Sequence, residues 1–359
     1  MTDTFSRTYA EARGKFLDAA KGAGAALTTY AHPGQGPDGG ALATDVARLG
    51  ESNAPNLFIA TSATHGVEGF CGSGCMVGFL EKRLHAELPR GTAMVLVHAI
   101  NPHGFAHERR VNEDNVDLNR NFVDHAAPRA PNAAYDAIHA MQVPEDWDGP
   151  ARAEADRHIA AYIAAHGMKT YQAAVTGGQY THPDGLFYGG RAPVWSHRTW
   201  REIIKTHVAP VRRVAYVDFH TGLGPRGYGE PISREAPDSP VFHRARAWYG
   251  AEVTSTRGGT STSAVVEGDT SRAFESGPHA PEVTTVALEF GTRPVEDVLG
   301  ALRADNWLYL RGKVDSPLGR TIKRQIRDAF YGEDDPWKRS VLERGFDIAR
   351  KAFRGVSQS

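Results

Sequence analysis

The chain has 359 residues, 41% of them hydrophobic and 23% charged, with 41 Lys+Arg against 42 Asp+Glu for a formal net charge of −1. This is the composition of a globular protein long enough to bury a large core, and the charge balance argues against a broad electrostatic surface for nucleic acid. Cys71 and Cys75 are the only cysteines, which excludes a disulfide framework and suggests a reducing compartment. The first residues lack the apolar core of a signal peptide and no stretch is apolar enough to span a bilayer, so the expected location is cytoplasmic, with neither membrane nor nucleic acid as partner.

Residues 5–24 read as an amphipathic helix with Phe5, Tyr9, Phe16 and Leu17 on one face, followed by the turn HPGQGPDGG. Alternation over Ala41–Ala47 reads as a strand. Leu57–Ser62 and Met94–Ile100 are short, apolar and bounded by turn residues, as buried strands are, and Gly72–Leu88 between them has helical periodicity. That is a strand–helix–strand unit of an α/β sheet. Residues 124–150, rich in Ala, Pro and Asn, read as an excursion from the core. Helices are expected over Ala151–His166, Trp195–His207 and Pro240–Tyr249, a strand over Val211–Phe219, a Ser/Thr/Gly loop over Ser255–Ser263 and a strand over Val283–Phe290. Three closing helices, Pro294–Leu310, Pro317–Phe330 and Pro336–Phe353, each carry a proline in or near the first turn. No repeat and no linker divides the chain, so residues 1–359 read as one α/β domain with loop insertions.

Chemistry-bearing residues fall at strand ends, where α/β sheets gather their sites. His65 and Glu68 sit in THGVEGFCGSG after one strand, and His220 closes VAYVDFH. A catalytic zinc takes three protein ligands, often two His and one carboxylate, and keeps a position open. His65 and Glu68 can face one ion from a single turn, and His220 is the natural third ligand. Glu289, in the apolar strand VALEFG, suits a general base that is not bound to metal. Cys71 and Cys75 read as small buried hydrophobes, and His98, His103 and His107 as hydrogen-bonding or substrate-facing groups. Of Arg109 and Arg110, one is expected in a surface salt bridge.

His65-Gly-Val-Glu68 resembles the HxxE motif of the zinc carboxypeptidase superfamily, family fourteen of the metallopeptidases. Arg110-Val-Asn112 followed by DLNRNF, Asp117 to Phe122, resembles that superfamily's RxN…DLNRNF segment, and His220 and Glu289 complete its order. Where the superfamily usually reads Asn-Pro-Asp-Gly, this chain has Asn101-Pro102-His103-Gly104. The loop GQYTHPDGLFYGG, Gly178 to Gly190, and DFHTGLG, Asp218 to Gly224, are similar to a bacterial branch, the domain-of-unknown-function family 2817.

The resemblance implies a mixed twisted β-sheet flanked by helices on both faces, a zinc-carboxypeptidase-like three-layer sandwich. It implies one zinc ion held by His65, Glu68 and His220, with Asp117 orienting His65. Arg110 would steady the oxyanion, Asn119 and Arg120 would grip a substrate carboxylate, and Glu289 would be the general base. His182, in the YTHPDG loop, is expected to line the substrate pocket. The superfamily's mobile tyrosine is not assignable among Tyr180, Tyr188, Tyr228 and Tyr249. The implied activity is zinc-dependent hydrolysis of an amide or peptide bearing a free carboxylate, by attack of zinc-bound water. Two alternatives are an aspartoacylase-like deacylase of N-acylated amino acids and a non-catalytic, metal-retaining binding protein. Oligomeric state is not legible.

Overall fold

The computed structural model describes residues 3–208, 211–274 and 282–358. Its centre is an eight-stranded sheet: β1 Ala26–Gln35, β2 Ala41–Gly50, β3 Asn56–Thr61, β4 Thr92–His98, β5 Arg213–Arg226, β6 Gly229–Ser233, β7 Thr254–Ser255 and β8 Glu282–Gly291. The order across the sheet is β1-β2-β4-β3-β5-β8-β6-β7. The four central strands, β4-β3-β5-β8, run parallel, while β2 on β4 and β6 on β8 are antiparallel. The sheet is therefore mixed, as expected. From β3 the chain goes to β4 on one side and later to β5 on the other, so a topological switch point lies between β3 and β5.

The period-two alternation of strands divides β3 between two cores. Phe58 and Ala60 join Phe16, Phe70, Phe79, Tyr249, Trp337 and Phe353 on one face. Leu57 and Ile59 join Val95, Val97, Trp200 and Ile203 on the other. The first face carries helices Tyr9–Gly22, Gly69–Glu81, Pro240–Tyr249 and Asp335–Ser357; the second carries Trp195–His207. The prolines of Pro240–Tyr249, Pro317–Phe330 and Asp335–Ser357 lie in the first turn. There the preceding Ser239, Ser316 and Asp334 side chains accept from Phe242 N, Gly319 N and Trp337 N, satisfying otherwise orphaned amides.

A third cluster covers the carboxyl ends of the strands. Tyr135, Ile138, Tyr171 and Val175 meet Phe187, Leu302, Ile326 and Phe330 there. These residues come from helices Ala133–Gln142, Met168–Thr176, Val295–Arg311 and Pro317–Phe330 and from the loop before Tyr188. The Ala/Pro/Asn-rich stretch 124–150 thus contains a helix whose inner face is buried. The strand β1 was also not anticipated: nine of its ten residues are exposed or half-exposed, and HPGQ at its end, read as turn, continues it. Among the described residues no helix is long and apolar enough to cross a membrane.

Candidate metal centre

β3 ends at Thr61, and the chain turns through Ala63, whose φ of 57° is left-handed, into a single 3-10 turn, Gly66–Glu68. Glycine is required at 66, because a Cβ there would lie 1.9 Å from the carbonyl carbon of Gly104. The close approach lets Gly66 N and Val67 N donate to the carbonyls of Arg110 and Arg109 at 3.0 and 2.9 Å. The motif turn and the arginine segment are thereby joined by two backbone hydrogen bonds.

His65, Glu68 and His220, all buried, each offer a ligand atom, and those atoms lie within 4.8 Å of one another. The arrangement is nearly symmetric about Glu68. His65 Nδ1 stands 2.9 Å from its Oε1, and His220 Nδ1 stands 2.9 Å from its Oε2. Each far nitrogen faces another carboxylate, His65 Nε2 to Asp117 Oδ1 at 3.2 Å and His220 Nε2 to Asp218 Oδ2 at 2.8 Å. Asp218 was missed in the sequence, although it lies two residues before His220 on one strand and so on the same face. It is itself held by the hydroxyls of Thr61 at 2.6 Å, Thr64 at 2.8 Å and Thr270 at 3.3 Å.

The charges follow from this packing. Burial raises the Glu68 carboxyl, but the two imidazoles, His65 first, overrule it and hold it below its ordinary value. Burial likewise opposes ionisation of Asp117, and Arg110 and Arg120 hold it well below the ordinary range. Burial pulls the His220 imidazole down, but Asp218 and Glu68 push it up to about 10. The pocket therefore favours positive charge. Two imidazole nitrogens and a carboxylate converge, with both rings braced from behind, so the residues present fit a divalent zinc-class cation.

Glu289 lies directly opposite His220 in the β5–β8 register. Its Oε1 accepts from Leu223 N at 3.0 Å. Burial, with the neighbouring Glu68 charge, raises its carboxyl to about 7. Arg110 donates to Asp117 Oδ2 and Glu68 Oε1, each at 3.0 Å. Its neighbour Arg109 points away. The expected surface salt bridge is a buried one, with Arg109 Nε 3.0 Å from Asp305 Oδ2 and both side chains 5% exposed.

His65, Glu68, Arg110, Asn119, Arg120, His220 and Glu289 line one cleft, together with Phe187, Ile232, Leu299 and an unanticipated cation, Arg234. The Asn119 side chain accepts from Thr270 N at 3.1 Å. The Arg120 guanidinium donates to the carbonyls of Asn119 and Thr176, and its buried Nε has no partner. His182 is not in this cleft. Its loop is pinned by Gln179, whose amide donates to His182 O at 2.8 Å. That loop presents Phe187 to the cleft, 4.8 Å from Arg110 and 5.3 Å from Arg120. It turns His182 outward onto His139 and Asp136. Cys71 and Cys75 are fully buried and free, and burial pushes the Cys71 thiol well up.

Residues 5–344 match the model of a family described as "Protein of unknown function (DUF2817)". No curated protein matches the chain. Among solved structures, bovine thrombin-activatable fibrinolysis inhibitor in complex with tick carboxypeptidase inhibitor is 12% identical, over 99% of this chain and 98% of that one, at a TM-score of 0.48. Carboxypeptidase A from Helicoverpa armigera is 14% identical, over 92% and 75%, at 0.46. An aspartoacylase family protein from Mesorhizobium loti is 14% identical, over 81% and 68%, at 0.38.

Proposed function

The chain belongs to the DUF2817 family, and from that premise we propose that it is a zinc-dependent hydrolase of the carboxypeptidase type, acting on an amide or peptide that bears a free carboxylate. The observation that carries this reading is the placement of Glu289. It is a buried carboxylate one strand over from His220, lining the same cleft as the His65–Glu68–His220 group but outside that group of three. A protein that only binds has no use for such a base.

His65, Glu68 and His220 would hold one zinc ion, which when bound supplies Lewis acidity toward a carbonyl and toward water. Asp218 would hold His220 in the tautomer that leaves Nδ1 free as a donor atom, and Asp117 stands 3.2 Å from His65 Nε2 for the same task, beside the Arg110 Nη2 at 2.9 Å. Glu289 accepts a proton from the attacking water and returns it to the leaving nitrogen, and its raised proton affinity suits both halves of that task near neutrality. Arg110 supplies the positive charge opposite the oxygen on which negative charge grows. Arg120, with an Nε–H buried and unpaired, has a donor in reserve for the substrate carboxylate, which a guanidinium fork suits. These assignments rest on the distances above and on the motif resemblance.

The test is a screen of dipeptides and N-acetyl amino acids with the zinc-loaded protein, run beside Glu289→Gln. The expected result is turnover of at least one class by the native chain and a fall of about 10²- to 10⁴-fold in kcat in the variant, with zinc content unchanged. Full activity in Glu289→Gln overturns the assignment. Turnover confined to N-acetyl amino acids would move the reading to the deacylase alternative.

A further inference from the structure

A second group of metal-ligating side chains lies outside the cleft. His139, His182 and Asp184 each offer a ligand atom, all within 4.8 Å of one another. His139 comes from the helix Ala133–Gln142, and His182 and Asp184 from a tight turn closed by Gly185 N donating to His182 O at 3.0 Å. We propose that these three side chains form a second site for one divalent transition-metal cation of the zinc class, which clasps the loop 179–189 to the helix Ala133–Gln142.

The two imidazoles stack with centroids 3.8 Å apart and an interplanar angle of 17°. His139 Nδ1 is walled in beneath Gly185 and has no hydrogen-bond partner, so its Nε2, 3.5 Å from Asp184 Oδ1, is the nitrogen that faces the cluster. His182 Nε2 lies 3.0 Å from Asp136 Oδ1, which brings a second carboxylate to the pair. Two imidazoles and two carboxylates thus converge from the helix and the turn, so that one divalent cation would meet nitrogen donors and opposite charge in the same place. Two imidazoles with one carboxylate select zinc-class ions over magnesium or calcium, which take oxygen ligands.

The position gives the clasp a consequence. Leu186 N donates to Tyr135 OH at 2.7 Å, so helix and loop already touch at the base of the same turn, and the next residue, Phe187, forms the cleft wall over Arg110 and Arg120. A cation at His139, His182 and Asp184 fixes the far end of that wall without touching the substrate.

Zinc is the probe. The full chain is stripped with a chelator, reloaded and freed of loose metal by dialysis, and zinc is counted per chain for the native protein, His139→Gln, His182→Gln and Glu68→Ala. The expected counts are two for the native chain and one for each variant. Zinc is further expected to raise the Tm of Glu68→Ala, and this rise is expected to vanish when His182→Gln is added. The Tm series reads the second site even where one substitution lowers stability. A native count of one, lost in Glu68→Ala and kept in both histidine variants, overturns the clasp and leaves the proposed hydrolase intact. A count of one lost only in the histidine variants keeps the clasp and removes the proposed active centre.

Discussion

The protein carries two sets of two histidines and a carboxylate, and they differ in everything but the donors. His65, Glu68 and His220 come from strand ends, are buried, and have both rings braced from behind by Asp117 and Asp218. His139, His182 and Asp184 come from a helix and a turn, with side chains 17%, 29% and 46% exposed. Only Asp136, itself bonded by the Thr181 hydroxyl at 3.0 Å, backs them. The first set shares its cleft with Glu289 and Arg110; the second has neither. A donor set alone thus specifies an ion. The proposed chemistry comes from what stands beside the first set: a carboxylate outside the trio and an arginine in the same cleft.

The sharpest way to break this contrast is at the adjacent arginines, whose side chains meet different partners, Arg109 on Asp305 and Arg110 on Glu68 and Asp117. Arg110→Met is expected to lower kcat about 10²- to 10³-fold, as for loss of one group that stabilises developing charge, and also to cost stability, because the buried Asp117 and Glu68 carboxylates lose a charged donor. Arg109→Met is expected to leave kcat per folded molecule intact and cost about 1 to 3 kcal/mol in denaturant unfolding, because the buried Asp305 carboxylate loses one of its two cations and keeps only Lys323. Equal kinetic effects from both would mean that their different partners have no functional meaning.

A smaller effect is expected behind the inner set. Asp218→Asn keeps shape but loses the charge on His220 Nε2, and zinc affinity measured by chelator competition should fall about 10- to 100-fold. Unchanged affinity would show that the bracing is idle.

The smallest effect is a stability difference with a defined sign. The Glu289 carboxyl is raised in the folded chain from 4.5 to about 7. Its contribution therefore favours folding while it is protonated, and is lost as pH rises from the ordinary value through about 7. Gln stays neutral throughout. Zinc-free Glu289→Gln should be more stable than zinc-free native protein around pH 8, by on the order of 1 to 3 kcal/mol, and indistinguishable around pH 4. For Glu289 to act as the proposed base it must be ionised, so turnover by the native chain is expected to fall on the acid side, at or below about pH 7. The bound cation would offset the Glu68 charge and move that limb lower.

Much of this was legible in the sequence because burial writes itself into composition. β3, β4, β5 and β8 are apolar runs packed on both faces, and the polar residues at their ends stand out against them. β1 and β6 did not stand out: β1 is a half-exposed edge strand, and β6 is a five-residue strand containing Gly and Pro. The helix Ala133–Gln142 was masked by the Ala, Pro and Asn around it, though Tyr135 and Ile138 sit three apart on its buried face. Asp218 could have been found from the two-residue strand period. His182 was assigned to the cleft because its loop does enter the cleft, but through Phe187 five residues later; which side a loop residue faces depends on turn hydrogen bonds that no periodicity records. Arg234 reaches the cleft from the end of β6 and was invisible once that strand was missed.

The central claim is that one cation is held between the Nδ1 atoms of His65 and His220 and the carboxylate of Glu68. Crystals of the zinc-loaded protein, measured on both sides of the zinc absorption edge, test it directly. The account predicts an anomalous peak within bonding distance of those three groups, with Asp117 and Asp218 still on the Nε2 atoms and Glu289 outside bonding distance. A loaded crystal with no peak there, or with the ion bound by Glu289 in place of one of the three, would contradict it.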